Sequence, residues 1–164
     1  MKIALINASP SGKSSTSAVL LEKTKSYIAG SNEFFDIQAN KEKLEPTELE
    51  TLKQAEIWVF ANPLYIDSLP GHLLAVLEQL EIECRQSHKV YVIINCGFYE
   101  AAQNKTALRV YKNWCSKAGY EWCGAAAIGG GGGIGFMPPE LPFNAGPLKP
   151  VNDAVVKLSA CISG

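Results

Sequence analysis

Residues 2–7 read Lys-Ile-Ala-Leu-Ile-Asn, an apolar run with no polar alternation inside it. A strand with one face in water alternates, whereas a short continuous run marks a strand buried on both faces. Phe34–Ile37, Ile57–Ala61, Lys89–Asn95 and Trp122–Ile128 have the length and apolar character of four more strands. Parallel strands of this kind need a crossover between them, usually a helix. Helical spacing is found in each gap. Val19, Leu20, Tyr27 and Ile28 follow Ser17, and Gly30 stops them. Pro46 and Thr47 open a segment with Leu49 and Leu52 on one face, and Glu48 and Glu50 at its start suit the helix dipole. Pro70 opens the stripe Leu73, Leu74, Leu77 and Leu80, where its missing N–H costs little. Ala101–Ala118 ends at Gly119, and Val151–Ile162 closes the chain. The order predicts an α/β fold over residues 1–164, one domain built as a doubly wound, five-stranded parallel sheet with helices on both faces. Ligands of such sheets bind outside the carboxyl ends of the strands.

Composition narrows the function classes. The chain is 47% hydrophobic and 19% charged, with a formal net charge of -1. That balance argues against a nucleic-acid binder, which would carry a basic patch. It leaves small anions open, because backbone N–H groups hold phosphate without side-chain charge. No apolar stretch reaches about 18 residues, so no membrane span is expected, and the N-terminal run is too short for a signal-peptide core. A cytoplasmic location is the expectation. Cys84, Cys96, Cys115, Cys123 and Cys161 include no C-x-x-C pair, and His72 and His88 sit near no cysteine pair. Reduced, mostly buried thiols are expected, and no metal site.

Asn7–Ser17 after the first strand reads Asn-Ala-Ser-Pro-Ser-Gly-Lys-Ser-Ser-Thr-Ser. Ser9, Ser11, Ser14, Ser15, Thr16 and Ser17 place six hydroxyls at the start of a helix. One or two would serve as an N-cap; six favour an anion cradle with the helix dipole behind it. Gly12-Lys13-Ser14 matches the tail of the nucleotide motif G-x-x-x-x-G-K-[ST]. The first glycine of that motif would fall at Asn7, and Pro10 lies inside the loop. Strands three and four end in Asn62 and Asn95-Cys96 rather than in the acidic residue that a Mg²⁺-dependent hydrolase needs. A P-loop-like nucleotide-binding protein is therefore the lesser reading. The dinucleotide fingerprint G-x-G-x-x-G is absent from this turn.

Asn62–Pro70 carries Leu64, Tyr65 and Ile66 between Pro63 and Pro70. The prolines stiffen the loop, so that it either covers the edge of a flat ring or is a structural turn with Tyr65 capping the core. Asn95–Glu100 places Phe98 and Tyr99 after Gly97, either as ring contacts or as packing beneath the next helix. Gly129–Gly133 is a ligand-approach loop or a linker. Ile134–Pro150 is rich in proline and glycine without periodicity. Together the loops describe a ligand with a phosphate at one end and a flat ring at the other.

Ser9-Pro10 followed by Ser15-Thr16-Ser17, Pro63-Leu64-Tyr65 with Pro70, and Asn95-Cys96-Gly97 followed by aromatics resemble the flavodoxin-like NAD(P)H-dependent FMN reductases. The likeness extends to Leu148-Lys149-Pro150 and the last helix. The resemblance implies FMN held non-covalently in a 2-1-3-4-5 sheet, with its phosphate on Ser9, Ser15, Thr16 and Ser17. Ser11 stands where relatives usually carry Arg, and Lys13 would supply the charge instead. The isoalloxazine would lie against Pro63, Leu64, Tyr65, Ile66 and Asp67 and against Asn95, Cys96, Gly97, Phe98 and Tyr99. NAD(P)H as co-substrate, a small acceptor such as a quinone or nitro compound, and a homodimer are implied too. The cluster cysteines of the iron-sulfur branch are missing. The flavin carries the chemistry, so no side chain is expected to act as nucleophile or general base. A flavodoxin-type electron carrier is the alternative, although carriers are typically strongly acidic. Replacing Ser15 and Thr16 by alanine is expected to weaken FMN binding and leave the fold intact.

Overall fold

The computed structural model describes residues 1–134 and 142–164. Residues 135–141, inside the expected Ile134–Pro150 loop, lie outside the described residues. In chain order the elements are β1 (Lys2–Asn7), α1 (Thr16–Tyr27), β2 (Glu33–Gln38), α2 (Pro46–Gln54), β3 (Ile57–Pro63), α3 (Gly71–Glu83), β4 (Lys89–Asn95), α4 (Lys105–Ala118), β5 (Glu121–Ile128), the single turn α5 (Gly131–Ile134) and α6 (Lys149–Ser163). The strands form one sheet in the order β2-β1-β3-β4-β5, and every pairing is parallel.

The uninterrupted apolar runs have a direct cause. Successive strand residues face opposite sides of the sheet, and here both sides are covered. Ala4, Ile6, Trp58, Phe60, Val90, Val92 and Ile94 face the layer holding Leu49 and Leu52 of α2, Leu73 and Leu77 of α3 and Tyr111 of α4. Ile3, Leu5, Ile57, Val59, Tyr91 and Ile93 face Leu20 of α1 and Val155 and Leu158 of α6. Each large buried side chain contributes about 1.5–3 kcal/mol of transfer free energy.

The local signals place most boundaries, with differences that have identifiable reasons. β3 runs two residues beyond Ala61, because Asn62 and Pro63 stay in register with Ile94 and Asn95. The fourth helical segment opens with a 3₁₀ turn at Ala101–Asn104, and Gly119 ends it in the left-handed region (φ 78°). α6 starts at Lys149 rather than Val151, since Pro150 fits the first turn, where no N–H is needed. The glycine run is not a linker, because Gly131–Ile134 forms a helical turn. β5 carries a bulge opposite Val90 and Tyr91, with Trp122 and Gly124 as their partners. All five cysteines are free thiols. Among the described residues no helix is long and apolar enough to cross a membrane, and no His/Cys/Asp/Glu group is placed to hold a metal ion.

Candidate functional site

β1, β3 and β4 each carry a buried asparagine at the carboxyl end, and the three side chains pin the loops that follow. Asn7 Oδ1 accepts from the Ser9 N–H at 3.1 Å, while its Nδ2 donates to the Gly12 carbonyl at 2.8 Å and to Gln38 Oε1 at 3.2 Å. Asn62 Oδ1 accepts from the Tyr111 hydroxyl at 2.8 Å. Asn95 Nδ2 donates to the Asn62 carbonyl at 3.2 Å and to Ser17 Oγ at 2.9 Å. Tyr111 is wholly buried, and burial holds its hydroxyl well above the ordinary phenol range. It therefore stays a neutral donor to Asn62. Sequence reasoning missed Asn7, Asn62 and Tyr111; the signal available was an asparagine at the end of three apolar strands.

Most of the hydroxyls in the first loop have structural partners. Ser14 Oγ donates to the Ser11 carbonyl at 3.0 Å, and Ser15 Oγ donates to the Gly12 carbonyl at 2.6 Å. Ser15 Oγ also accepts from the Ala18 N–H at 3.2 Å, which makes it the N-cap of α1. Thr16 Oγ1 donates to the Gly131 carbonyl at 2.9 Å. Ser17 faces inward to Asn95. Replacing Ser15 and Thr16 by alanine therefore removes a helix cap and a bond across the site, at a cost of about 1 kcal/mol for the cap alone. The double variant is therefore expected to lose stability while keeping its fold. What the loop offers an anion is backbone and the hydroxyls of Ser9 and Ser11, which line the cleft described below. The N–H groups of Thr16 and Ser17 open α1, where a helix has no internal acceptors for them, at the positive end of its dipole.

These groups border a cleft of about 280 Å³ lined by Ser9, Ser11, Ser14, Ser15, Thr16, Ser17, Pro63, Tyr65, Asn95 and Gly132. The cleft thus joins the first loop to the ends of β3 and β4. Lys13 is not part of it. It lines a separate hollow together with Asn7, Asp36 and Gln38.

The loop after β3 closes on itself. Tyr65 N–H donates to the Ser68 carbonyl and Ser68 N–H to the Tyr65 carbonyl, both at 3.0 Å. Ile66 and Asp67 form the tip with φ values of 48° and 59°. Left-handed backbone is uncommon for any residue with a Cβ, and for a β-branched one it is a strained outlier. Ile66 is also 99% exposed. Leu64 packs on the core instead of the cleft, and its N–H donates to the Asn95 carbonyl at 2.8 Å. Among the described residues no acceptor takes the N–H groups of Ile66, Asp67, Gly97 or Phe98.

After β4, Cys96 turns inward, with its Sγ near the Phe98 and Glu100 carbonyls. Phe98 and Tyr99 do not pack beneath the next helix; they are exposed, Tyr99 by 94%. Tyr99 borders a second cavity, of about 520 Å³, with Gly129, Gly130, Ile134 and Leu148. The glycine run is held against these loops. Gly131 N–H donates to the Cys96 carbonyl at 2.7 Å, and a Cβ there would come within 2.9 Å of Asn95. A Cβ at Gly129 would collide with the Tyr99 carbonyl.

No protein-family model and no curated protein matches the chain. Solved structures do. An NADH:FMN oxidoreductase in its apo form superposes with a TM-score of 0.70 at 16% identity, covering 97% of this chain and 88% of that one. An FMN-dependent NADH-azoreductase from Bacillus anthracis, in complex with FMN, gives 0.67 at 17% identity, with 99% of each chain covered. A flavodoxin, WrbA-like protein from Agrobacterium tumefaciens gives 0.63 at 12%, covering 98% and 93%. The fold is flavodoxin-like, as the sequence resemblance implied.

The residues present fit a flavin mononucleotide in kind. Orphan N–H groups at a helix start suit a phosphate. Pro63 and Tyr65 on the same cleft suit the side of a flat ring, and free N–H groups suit its carbonyls. Lys13 is not among the residues that line this cleft.

Proposed function

We propose that the protein binds FMN non-covalently at the carboxyl ends of β1, β3 and β4. We further propose that it acts as an oxidoreductase, passing hydride or electrons from NAD(P)H to a small acceptor such as a quinone or nitro compound. The observation that carries this reading is that one cleft is lined both by Thr16 and Ser17, at the start of α1, and by Pro63 and Tyr65. Bound FMN supplies the hydride and electron chemistry. The chain's part is to hold and orient. Backbone N–H groups at the start of α1 take the phosphate, Asn95 and Asn62 fix the two loops beside the ring, and the tip at Ile66 and Asp67 meets its edge. Tyr65, Ile66, Phe98 and Tyr99 are exposed around the site, and a second copy of the chain covers them in a homodimer.

Purified protein incubated with FMN should quench flavin fluorescence and turn yellow. Addition of NADH or NADPH under anaerobic conditions should then bleach the flavin absorbance, and the faster of the two names the donor. Binding without bleaching by either nucleotide would leave an electron carrier. Protein that stays colourless and instead binds ATP would replace this reading with the nucleotide-binding one.

A further inference from the structure

β5 is one edge of the sheet, and its free side is legible from its bonds. Ile128 carbonyl accepts from the Cys96 N–H, and Glu121 N–H donates to the His88 carbonyl, so both residues turn their backbone groups toward β4. Backbone direction alternates along a strand. Counting back from Ile128, Ala127 and Ala125 present their N–H and carbonyl groups outward, and no described strand pairs with them. The opposite edge, β2, carries Glu33 and Asp36, the latter bonded to Lys25 at 3.1 Å. Such charges discourage a further strand. β5 has one charge, at Glu121, followed by Gly124-Ala125-Ala126-Ala127, where side chains are small enough for another backbone to approach closely.

Beside this edge lies a groove of about 440 Å³ between α4 and β5. Ala102, Leu108, Trp122 and Ala127 form its floor, and Lys105, Arg109 and Lys112 form its rim. The three cations stand at i, i+4 and i+7 on one helix face, a row of about 10 Å. Residues 101–118 contain no Asp or Glu. Lys117 pairs with Glu81 at 2.9 Å, but among the described residues Lys105, Arg109 and Lys112 pair with no carboxylate. On the other face of the same edge, the apolar cavity walled by Ile134, Leu148 and Val151 shares Ala101 and Ala127 with the groove.

We propose that this edge docks an extended, acidic segment of a partner protein as a sixth strand. Side chains of an added strand alternate between the two faces. One set enters the apolar cavity on the α6 side. The other crosses the apolar floor and brings carboxylates to Lys105, Arg109 and Lys112, so the favoured segment alternates apolar and acidic residues. A second copy of this chain is a poorer occupant. An antiparallel β5–β5 pair about a two-fold axis sets α4 beside α4, and cations face cations. The docking is independent of whether the cleft holds a flavin.

A fluorescein-labelled octapeptide of Val-Glu repeats tests this by anisotropy with the full chain. Saturable binding is expected, and a Val-Lys repeat should not bind. Affinity should fall at least about tenfold in Lys105→Gln/Arg109→Gln/Lys112→Gln. It should fall likewise in Ala125→Pro, which removes an outward N–H without touching the ladder to β4. Amide exchange at Ala125 and Ala127 should slow on peptide binding, a readout that stands even if Ala125→Pro does not fold. Absence of saturable binding overturns the proposal. Binding with unchanged exchange at both alanines also overturns it, by reducing the cations to a general anion patch. A dimer that Ala125→Pro dissociates overturns it in favour of a second copy.

Discussion

The side-chain amide of Asn95 donates to the hydroxyl of Ser17 at 2.9 Å, across 78 residues of sequence. One bond thereby locks the end of β4 to the first turn of α1, the two elements between which the cleft opens. Asn95→Leu removes this bond and the one to the Asn62 carbonyl, and leaves buried polar atoms without partners. Such orphaned groups cost about 1–3 kcal/mol each. Urea denaturation should show a loss in that range, with a smaller loss for Ser17→Ala. Wild-type stability in Asn95→Leu would mean that the network does not hold the loops.

Gly131 is a packing requirement more than a flexible joint. A methyl group there meets Asn95 Cβ and Oδ1 at 2.9 Å, and the turn cannot retreat without losing the Gly131 bond to the Cys96 carbonyl and the Thr16 bond to Gly131. Gly131→Ala should lower the melting temperature and weaken FMN binding, whereas Gly133→Ala, with open space around it, should do neither. Equal behaviour of the two variants would contradict this account.

The tip at Ile66 and Asp67 is strained as the sequence stands. Asn-Gly is the pair best suited to two consecutive left-handed residues in a tight two-residue turn. Ile66→Asn/Asp67→Gly should stabilise the free protein by about 1 kcal/mol, of the order that relieving one strained position yields. If Ile66 meets the ring, the same change should weaken FMN binding. Calorimetry of the free protein and a flavin titration separate the two effects. A variant less stable than wild type would remove the strain argument.

The architecture was legible in the sequence because burial on both faces leaves a mark that side-chain type alone records. Trp58 and Phe60 face one layer and Ile57 and Val59 the other, and no polar residue interrupts the run. The sequence brought the first loop and the ends of β3 and β4 into one proposal, and the structure gathers them at one cleft, but the partners of the hydroxyls were not legible. Ser15 and Thr16 lie at the cleft, yet their hydroxyls serve the helix cap and Gly131. Composition cannot distinguish a hydroxyl that faces a ligand from one that faces a carbonyl of its own loop.

His88 gives the fold a pH dependence. Its ring stacks on Trp58 at 4.0 Å between centroids, Nδ1 bonds the Ala55 carbonyl at 2.8 Å, and Nε2 is buried with no partner among the described residues. Burial lowers its pKa, so the folded chain holds the neutral ring. The unfolded chain takes up a proton near the ordinary value of about 6.5. Its contribution to stability is therefore complete above about pH 6.5 and declines as the pH falls below it. Melting temperature should drop between neutral pH and mild acid, and His88→Phe should flatten that slope. An unaltered slope in the variant would assign the effect to another group.

Asn7, Asn62 and Asn95 have a consequence for the order of events. Because each ties its loop to backbone or side chains of the protein itself, the entropy of ordering those loops is spent during folding and not on ligand capture. On the proposed function, the flavin site is in this sense preformed. Its thermal stability without flavin should lie near that of the loaded form, apart from the mass-action gain of binding.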